Sequence, residues 1–267
     1  MTTNWDSRLS FSQNVRNQFT AFHSSLRNMK FDVTEAKYIS IPGDCTERNQ
    51  MLKEVLGTQG QWVIWDLYGG VGGDAVQFQV LFPQCRLTVV QPPEDSDRAQ
   101  GFGRLADTAR RFGRLADRAQ RFSRLANNVT LVPNTHTTPV CESNPAFVNS
   151  AQAGTHVDLV YCDPPWYADE KPLSAQAFGS LLQTQVLAPL SAKGIHPRFL
   201  CIKTMYPHAE LSPHIETPGY QFQKEVCPAR KKDKNNYFFI LLESLQGGDS
   251  ADELSNRCTA TRFRVWW

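Results

Sequence analysis

The sequence predicts an α/β fold: a doubly wound, mostly parallel sheet with an antiparallel edge strand, preceded by an N-terminal helical extension. Three observations carry that prediction. Gln61 to Phe82, QWVIWDLYGGVGGDAVQFQVLF, reads as a buried strand, a glycine-rich turn and a helix. Short apolar runs then alternate with helical stretches, the pattern of parallel strands joined by crossover helices. The last two runs, Tyr220–Val226 and Tyr237–Glu243, need only a hairpin between them.

Residues 1–49 form the extension, in which Trp5, Phe11, Phe19, Phe22 and Met29 alternate with Arg8, Arg16 and Arg27. The spacing of Phe11, Phe19 and Phe22 predicts a packed helix. ISIPGD (39–44) is an extended turn, and Cys45 to Leu56 a helix feeding the first strand. Trp62 to Trp65 is the apolar run of a strand buried on both faces, closed by Asp66. Arg86–Val90 is the second strand, and a third begins at Val129–Val132. Asn144 to Gly154 reads as a helix and loop, Asp158–Cys162 as the fourth strand, Ser174–Leu190 as a helix and Arg198–Thr204 as the fifth strand. Residues 50–245 thus form one domain, with no room for a separate recognition domain. Residues 246–267 read as a flexible tail ending in FRVWW.

Between the second and third strands lies a ten-residue tandem repeat: FGRLADTARR, FGRLADRAQR, FSRLAN. On a helix over 98–127, Leu105, Phe112, Leu115, Ala119 and Phe122 share one stripe and Arg104, Arg111, Arg114, Arg118 and Arg121 a neighbouring one. Two readings stand: a lengthened surface helix with a solvated arginine face, or a platform for phosphates or a protein partner.

Composition excludes several classes. No run approaches the 18 or so apolar residues of a membrane span, and MTTNWDSRLSFSQ lacks the apolar core of a secretory signal. Seven scattered cysteines, an odd number without a C-x-x-C pair, argue against a disulfide framework or zinc ribbon. An intracellular setting, cytoplasm or nucleus, is expected. The six histidines show no H-E-x-x-H spacing, so no metal is expected.

In a parallel α/β sheet, ligands bind outside the carboxyl ends of the strands. Both chemistry-bearing motifs occupy such ends. The first supplies Asp66, Tyr68, Gly69, Gly70, Gly72, Gly73 and Asp74, its glycines permitting positive φ and close approach of a ligand to the backbone. It is neither G-x-G-x-x-G nor a P-loop, and no phosphate-binding lysine follows it. The second is Asp163, Pro164, Pro165 and Trp166. Two prolines fix the backbone so that carbonyls and the carboxylate point rigidly into the pocket. Such acceptors suit an exocyclic amine, whose lone pair is otherwise delocalised into its base. Trp166 offers a flat face for stacking a base, worth about 1–3 kcal/mol. Tyr167, Lys203 and the basic run holding Arg230, Lys231 and Lys232 complete the substrate-binding candidates, the basic run suiting phosphates.

The first motif resembles that of the class I S-adenosylmethionine (SAM) methyltransferases, Rossmann-like enzymes, and the resemblance implies SAM as cofactor. More closely, GVGGDAVQF is similar to the RNA cap guanine-N2 methyltransferases (the trimethylguanosine synthase family), with Val71, Gly72, Gly73, Gln77 and Phe78 matching. Pro164, Pro165 and Trp166 match that family's P-P-W, whose tryptophan stacks on the cap guanine. The resemblance implies an RNA substrate, capped RNA foremost, and methylation of guanine N2. Asp163 instead resembles the D-P-P-W of adenine-N6 methyltransferases, and Tyr167 and Ala168 replace the cap family's Gly-Gly. Where these enzymes place acids after the second and third strands, toward the cofactor's ribose and adenine, stand Gln91 and Asn134. Lys37, Asp163 and Lys203 invite comparison with ribose 2′-O-methyltransferases, although D-P-P-W is not their pattern. A catalytically silent scaffold with this fold is a further alternative. As an enzyme, the chain is expected to lose transfer on Asp163→Ala with little unfolding.

Overall fold

The computed structural model describes residues 6–31, 33, 36, 39–91, 123–131, 136–168, 171–228 and 237–245. Its strands, in chain order, are β1 (Val63–Asp66), β2 (Arg86–Val90), β3 (His136–Val140), β4 (Leu159–Cys162), β5 (Tyr167–Ala168), β6 (Lys171–Pro172), β7 (Phe199–Thr204), β8 (Tyr220–Val226) and β9 (Phe238–Ser244). Seven form one sheet in the order β3-β2-β1-β4-β7-β9-β8, and β5 and β6 pair separately. β3, β2, β1, β4 and β7 run parallel. The antiparallel edge is the closing hairpin: β9 pairs antiparallel with β7, and β8 takes the outer position beside β9.

Side chains sort to two cores with a period of two, as buried strands must. Ile64, Leu159, Tyr161, Phe199, Cys201, Phe239 and Leu241 face one side, with Met51, Leu52 and Leu56 of α2 (Thr46–Leu56) and Phe78 and Leu81 of α3 (Gly73–Leu81). Their neighbours Trp65, Val160, Cys162, Leu200, Ile202, Ile240 and Leu242 face the other, with Phe178 and Leu182. The extension makes a third cluster: Val15 and Phe19 of α1 (Phe11–Phe22) pack with Leu26, Met29, Phe31 and Ile39 against Val76 of α3. Ser10 and Gln13 close a capping box at the start of α1.

The third strand is not where the sequence suggests. Residues 123–129 are helical, because Leu125 and Val129, one turn apart, both bury in the core beside α3. The strand is HTTPV at 136–140, an edge strand whose mixed burial and Pro139 hide it from an apolar-run criterion. The Ser174–Leu190 helix is capped by Ser174 as α-helix Ala175–Leu182, then loosens into a π turn at Gln183–Leu187 before Ala188–Ala192. Pro189 supplies no backbone N–H at that point. Of the repeat helix expected over 98–127, residues 98–122 lie outside the described residues, as does the tail 246–267. No helix among the described residues is long and apolar enough to cross a membrane.

Candidate active site

Strand register brings the two motifs together. Asp66 ends β1 and aligns with Tyr161 of the adjacent parallel β4, so Asp163, one residue beyond β4, lies beside it. On the far side of β4, Cys162 aligns with Ile202, which sets Asp163 next to Lys203 of β7.

The glycine turn divides its labour. Gly70 and Gly72 take positive φ (51° and 88°) and reverse the chain into α3. Gly69 and Gly73 instead permit close packing: a Cβ on Gly69 would stand 2.2 Å from Val89, and one on Gly73 2.6 Å from Ile39. Asp74 does not cap α3; its carboxylate forms an ion pair with Arg48, fully buried on α2. The Arg48 guanidinium also lies over Phe78, Tyr161 and Phe239 at 4.9, 5.1 and 5.5 Å from their ring centres. It donates to Asn49 and to Gln77 (3.1 Å). Gln77 in turn donates to the Ser40 carbonyl (2.7 Å). Asn128, on the helical stretch 123–129, bonds the Val71 carbonyl and both backbone groups of Lys30. The turn is therefore clamped from beneath by the extension and by residues 123–129.

Asp66 is fully buried, and neither carboxylate oxygen finds a hydrogen-bond partner of ordinary geometry among the described residues. Burial, followed by repulsion from Asp74 and Asp163, pushes its carboxyl well above the usual range. Gln91, after β2, likewise holds a buried amide oxygen without a donor among the described residues. Two buried acceptors at neighbouring strand ends fit a ligand that brings donors, such as the α-ammonium and ribose hydroxyls of SAM. Asn134 lies outside the described residues, and with β3 at 136–140 it precedes that strand instead of following it.

Asp163 is held differently. Lys203 Nζ donates to its Oδ2 at 2.6 Å and to Ser40 Oγ at 2.8 Å, and Ser40 Oγ stands 3.4 Å from the same Oδ2. Burial raises the Asp163 carboxyl, and Lys203 opposes it. Burial also acts against the Lys203 ammonium, but Asp163 and Asp74 outweigh it and hold the amine protonated. Lys203 is buried and engaged inside the site by its bonds to Asp163 and Ser40. Its ammonium lies 5.2 Å from the ring centre of Trp166 and 5.3 Å from that of Tyr237. Those two rings are 5.7 Å apart, tilted by 36°, and Tyr237 is anchored by its hydroxyl to the Asp44 carbonyl (2.8 Å). Trp166, which directly follows Pro164 and Pro165, is half-buried. Tyr167 opens the small β5–β6 ladder, while Arg230, Lys231 and Lys232 lie outside the described residues.

Ser40, Arg48 and Tyr237 escape sequence reasoning. Their signals are single residues in unremarkable contexts, and only the docking of 39–45 over α3 gives them their places. Among the described residues no cluster of metal-binding side chains occurs.

No family model and no curated protein matches this sequence. Solved structures do match in fold. The human methyltransferase 10 domain containing protein superposes with a TM-score of 0.54 at 12% identity, covering 87% of this chain and 97% of that one. TrmN from Thermus thermophilus gives 0.50 at 14% identity, covering 74% of this chain and 48% of that one, so this chain spans about half its length. At such identities the likeness establishes the architecture, the Rossmann-like class I methyltransferase fold.

Proposed function

We propose that the chain is a SAM-dependent N-methyltransferase acting on an exocyclic amine of RNA, with guanine N2 of the RNA cap as acceptor. The observation that carries this reading is the meeting of a glycine turn and a fully buried carboxylate, which no side chain among the described residues bonds, with D-P-P-W at the ends of adjacent strands. SAM, when bound, supplies an electrophilic methyl group. Asp66 and the turn over Tyr68, Gly69, Gly70, Gly72 and Gly73 would hold its amino-acid end, and Gln91 its ribose. Asp163 accepts a hydrogen bond from the acceptor amine and draws the nitrogen lone pair out of the base, an effect of positioning and electrostatics. Trp166 stacks the base, and the 230–232 basic run meets phosphates.

Adenine N6 is the second reading, favoured by the carboxylate of Asp163 itself. A ribose 2′-hydroxyl is disfavoured: a lysine that took the hydroxyl proton would have to be neutral, whereas Asp163 and Asp74 keep Lys203 protonated. Methyl transfer to capped RNA and to uncapped adenine-containing oligonucleotides separates the first two readings. Transfer to the cap nucleotide alone is expected; transfer only to adenine reassigns the base. No SAM binding by calorimetry at millimolar cofactor replaces both with a scaffold.

A further inference from the structure

Lys203 and Ser40 reach the site from opposite parts of the chain, and neither belongs to the two motifs that define it. Both of their bonds to Asp163 fall on one oxygen, Oδ2. No described residue bonds Oδ1, and the side chain keeps 18% of its exposure. A carboxylate pinned through one oxygen holds the other in a fixed direction. Ser40 is itself fixed, since its carbonyl accepts from Gln77 (2.7 Å), which Arg48 and Asn49 hold in turn. The chain of contacts runs from the base of the glycine turn to the D-P-P-W aspartate through a serine of the extension.

We propose that Lys203, steadied by Ser40, is a positioning residue that keeps Asp163 anionic and reserves its Oδ1 for an N–H donor of the substrate. The proposal rests on the exocyclic-amine reading. A protonated carboxyl would present an O–H where the amine needs an acceptor. The surroundings press toward that protonated form. Burial and the acids Asp66 on β1 and Asp74 on α3 disfavour the charge; Tyr161 and Cys162 nearby are neutral. Two cations favour it, but Arg48 is bonded to Asp74, so only Lys203 bonds Asp163 directly. The extension is then part of the active site, because Ser40 sets where the ammonium rests.

The test titrates Asp163 itself, by carboxyl carbon NMR of aspartate-labelled full chain without substrate, in wild type, Lys203→Met, Lys203→Arg and Ser40→Ala. Lys203→Met should move the midpoint to higher pH by about one unit or more. Ser40→Ala should move it less, in the same direction, and Lys203→Arg should return it toward wild type. In methyl transfer, Lys203→Met should lose about tenfold or more at pH 7 and recover as pH rises, the loss tracking the NMR midpoint. A midpoint unchanged in Lys203→Met overturns the proposal. Should that variant fail to fold, an unchanged midpoint in Ser40→Ala together with an unaltered pH profile does so. A midpoint that moves while no amine substrate is methylated by wild type keeps the Lys203–Asp163 coupling but overturns the role assigned to Oδ1.

Discussion

Asp66 and Asp163 end neighbouring parallel strands of one sheet and feel each other's charge, yet the chain treats them in opposite ways. Asp163 is given a buried ammonium, a serine hydroxyl and a proline-fixed backbone. Asp66 is given burial and two acidic neighbours, opposed by the Tyr68 backbone N–H and the more distant Arg48 but by no side-chain hydrogen bond among the described residues. An unmade bond to a buried charge costs more than a typical hydrogen bond contributes, so such a group persists where something from outside completes it. The difference separates two jobs. In the proposed function, one carboxylate serves as an acceptor prepared by the fold, and the other as a socket for a positively charged ligand group.

Removing each carboxylate in turn should have opposite consequences. Asp163→Ala strands the Lys203 ammonium in a site where it is only 8% exposed, and should lower the unfolding free energy by about 3–5 kcal/mol. Adding Lys203→Met should recover most of that loss, since an apolar pair often replaces a buried ion pair at little cost. Urea denaturation of the single and double variants checks both. Sequence alone leads to the expectation that Asp163→Ala leaves the fold nearly untouched, whereas the buried Lys203 ammonium leads to the opposite one. A single variant as stable as wild type would show that the ammonium has another partner.

Asp66→Asn should act with the opposite sign on the ligand-free chain. The raised carboxyl of Asp66 means that the folded state holds its proton more tightly than the unfolded state. Stability from this group is therefore present at low pH. It is lost as pH climbs from the ordinary carboxylate range toward the folded value. Asp66→Asn removes that slope and should raise stability at neutral pH by about 1 kcal/mol, or about 2–4 °C in a domain of this size. SAM affinity should fall by about tenfold to a hundredfold, the worth of one charge-assisted hydrogen bond. Thermal melts across pH with and without SAM, joined to calorimetry, read both signs in one series.

The same contrast explains what the sequence discloses. Asp66, the glycines and D-P-P-W are legible because consecutive residues carry the signal and strand ends fix where they point. The alternation of strands and helices is legible because burial on both sheet faces demands continuous apolar runs. β3 is not, because an edge strand with one polar side and Pro139 has no such run. Nor is Val129, whose apolar neighbours read as a strand until Leu125 one turn earlier claims it for a helix. The support of Asp163 is least legible of all. Ser40 lies 123 residues away and Lys203 40, and nothing in the sequence around Arg48 marks it as the cation that three aromatic rings enclose. Local pattern reports which groups do chemistry; the contacts that set their charge are long-range.

Milder effects are expected from substitutions within the glycine turn. Gly73→Ala would drive a methyl to 2.6 Å from Ile39 and 3.2 Å from the Ser40 backbone, displacing the segment that steadies Lys203. Overpacking of this kind costs about 1–3 kcal/mol, and the variant should also move the Asp163 titration as Ser40→Ala does. Gly70→Ala meets nothing closer than the Tyr68 carbonyl at 3.9 Å, so its cost is only the left-handed backbone at φ 51°. That strain, about 1–2 kcal/mol, is partly offset by the lower entropy of the unfolded alanine chain. About 1 kcal/mol or less should remain, with the Asp163 midpoint unmoved. The two alanines thus separate a glycine that shapes the turn from one that admits the extension. Equal shifts of the Asp163 midpoint in both variants would show that the turn, and not Ser40, governs the D-P-P-W carboxylate.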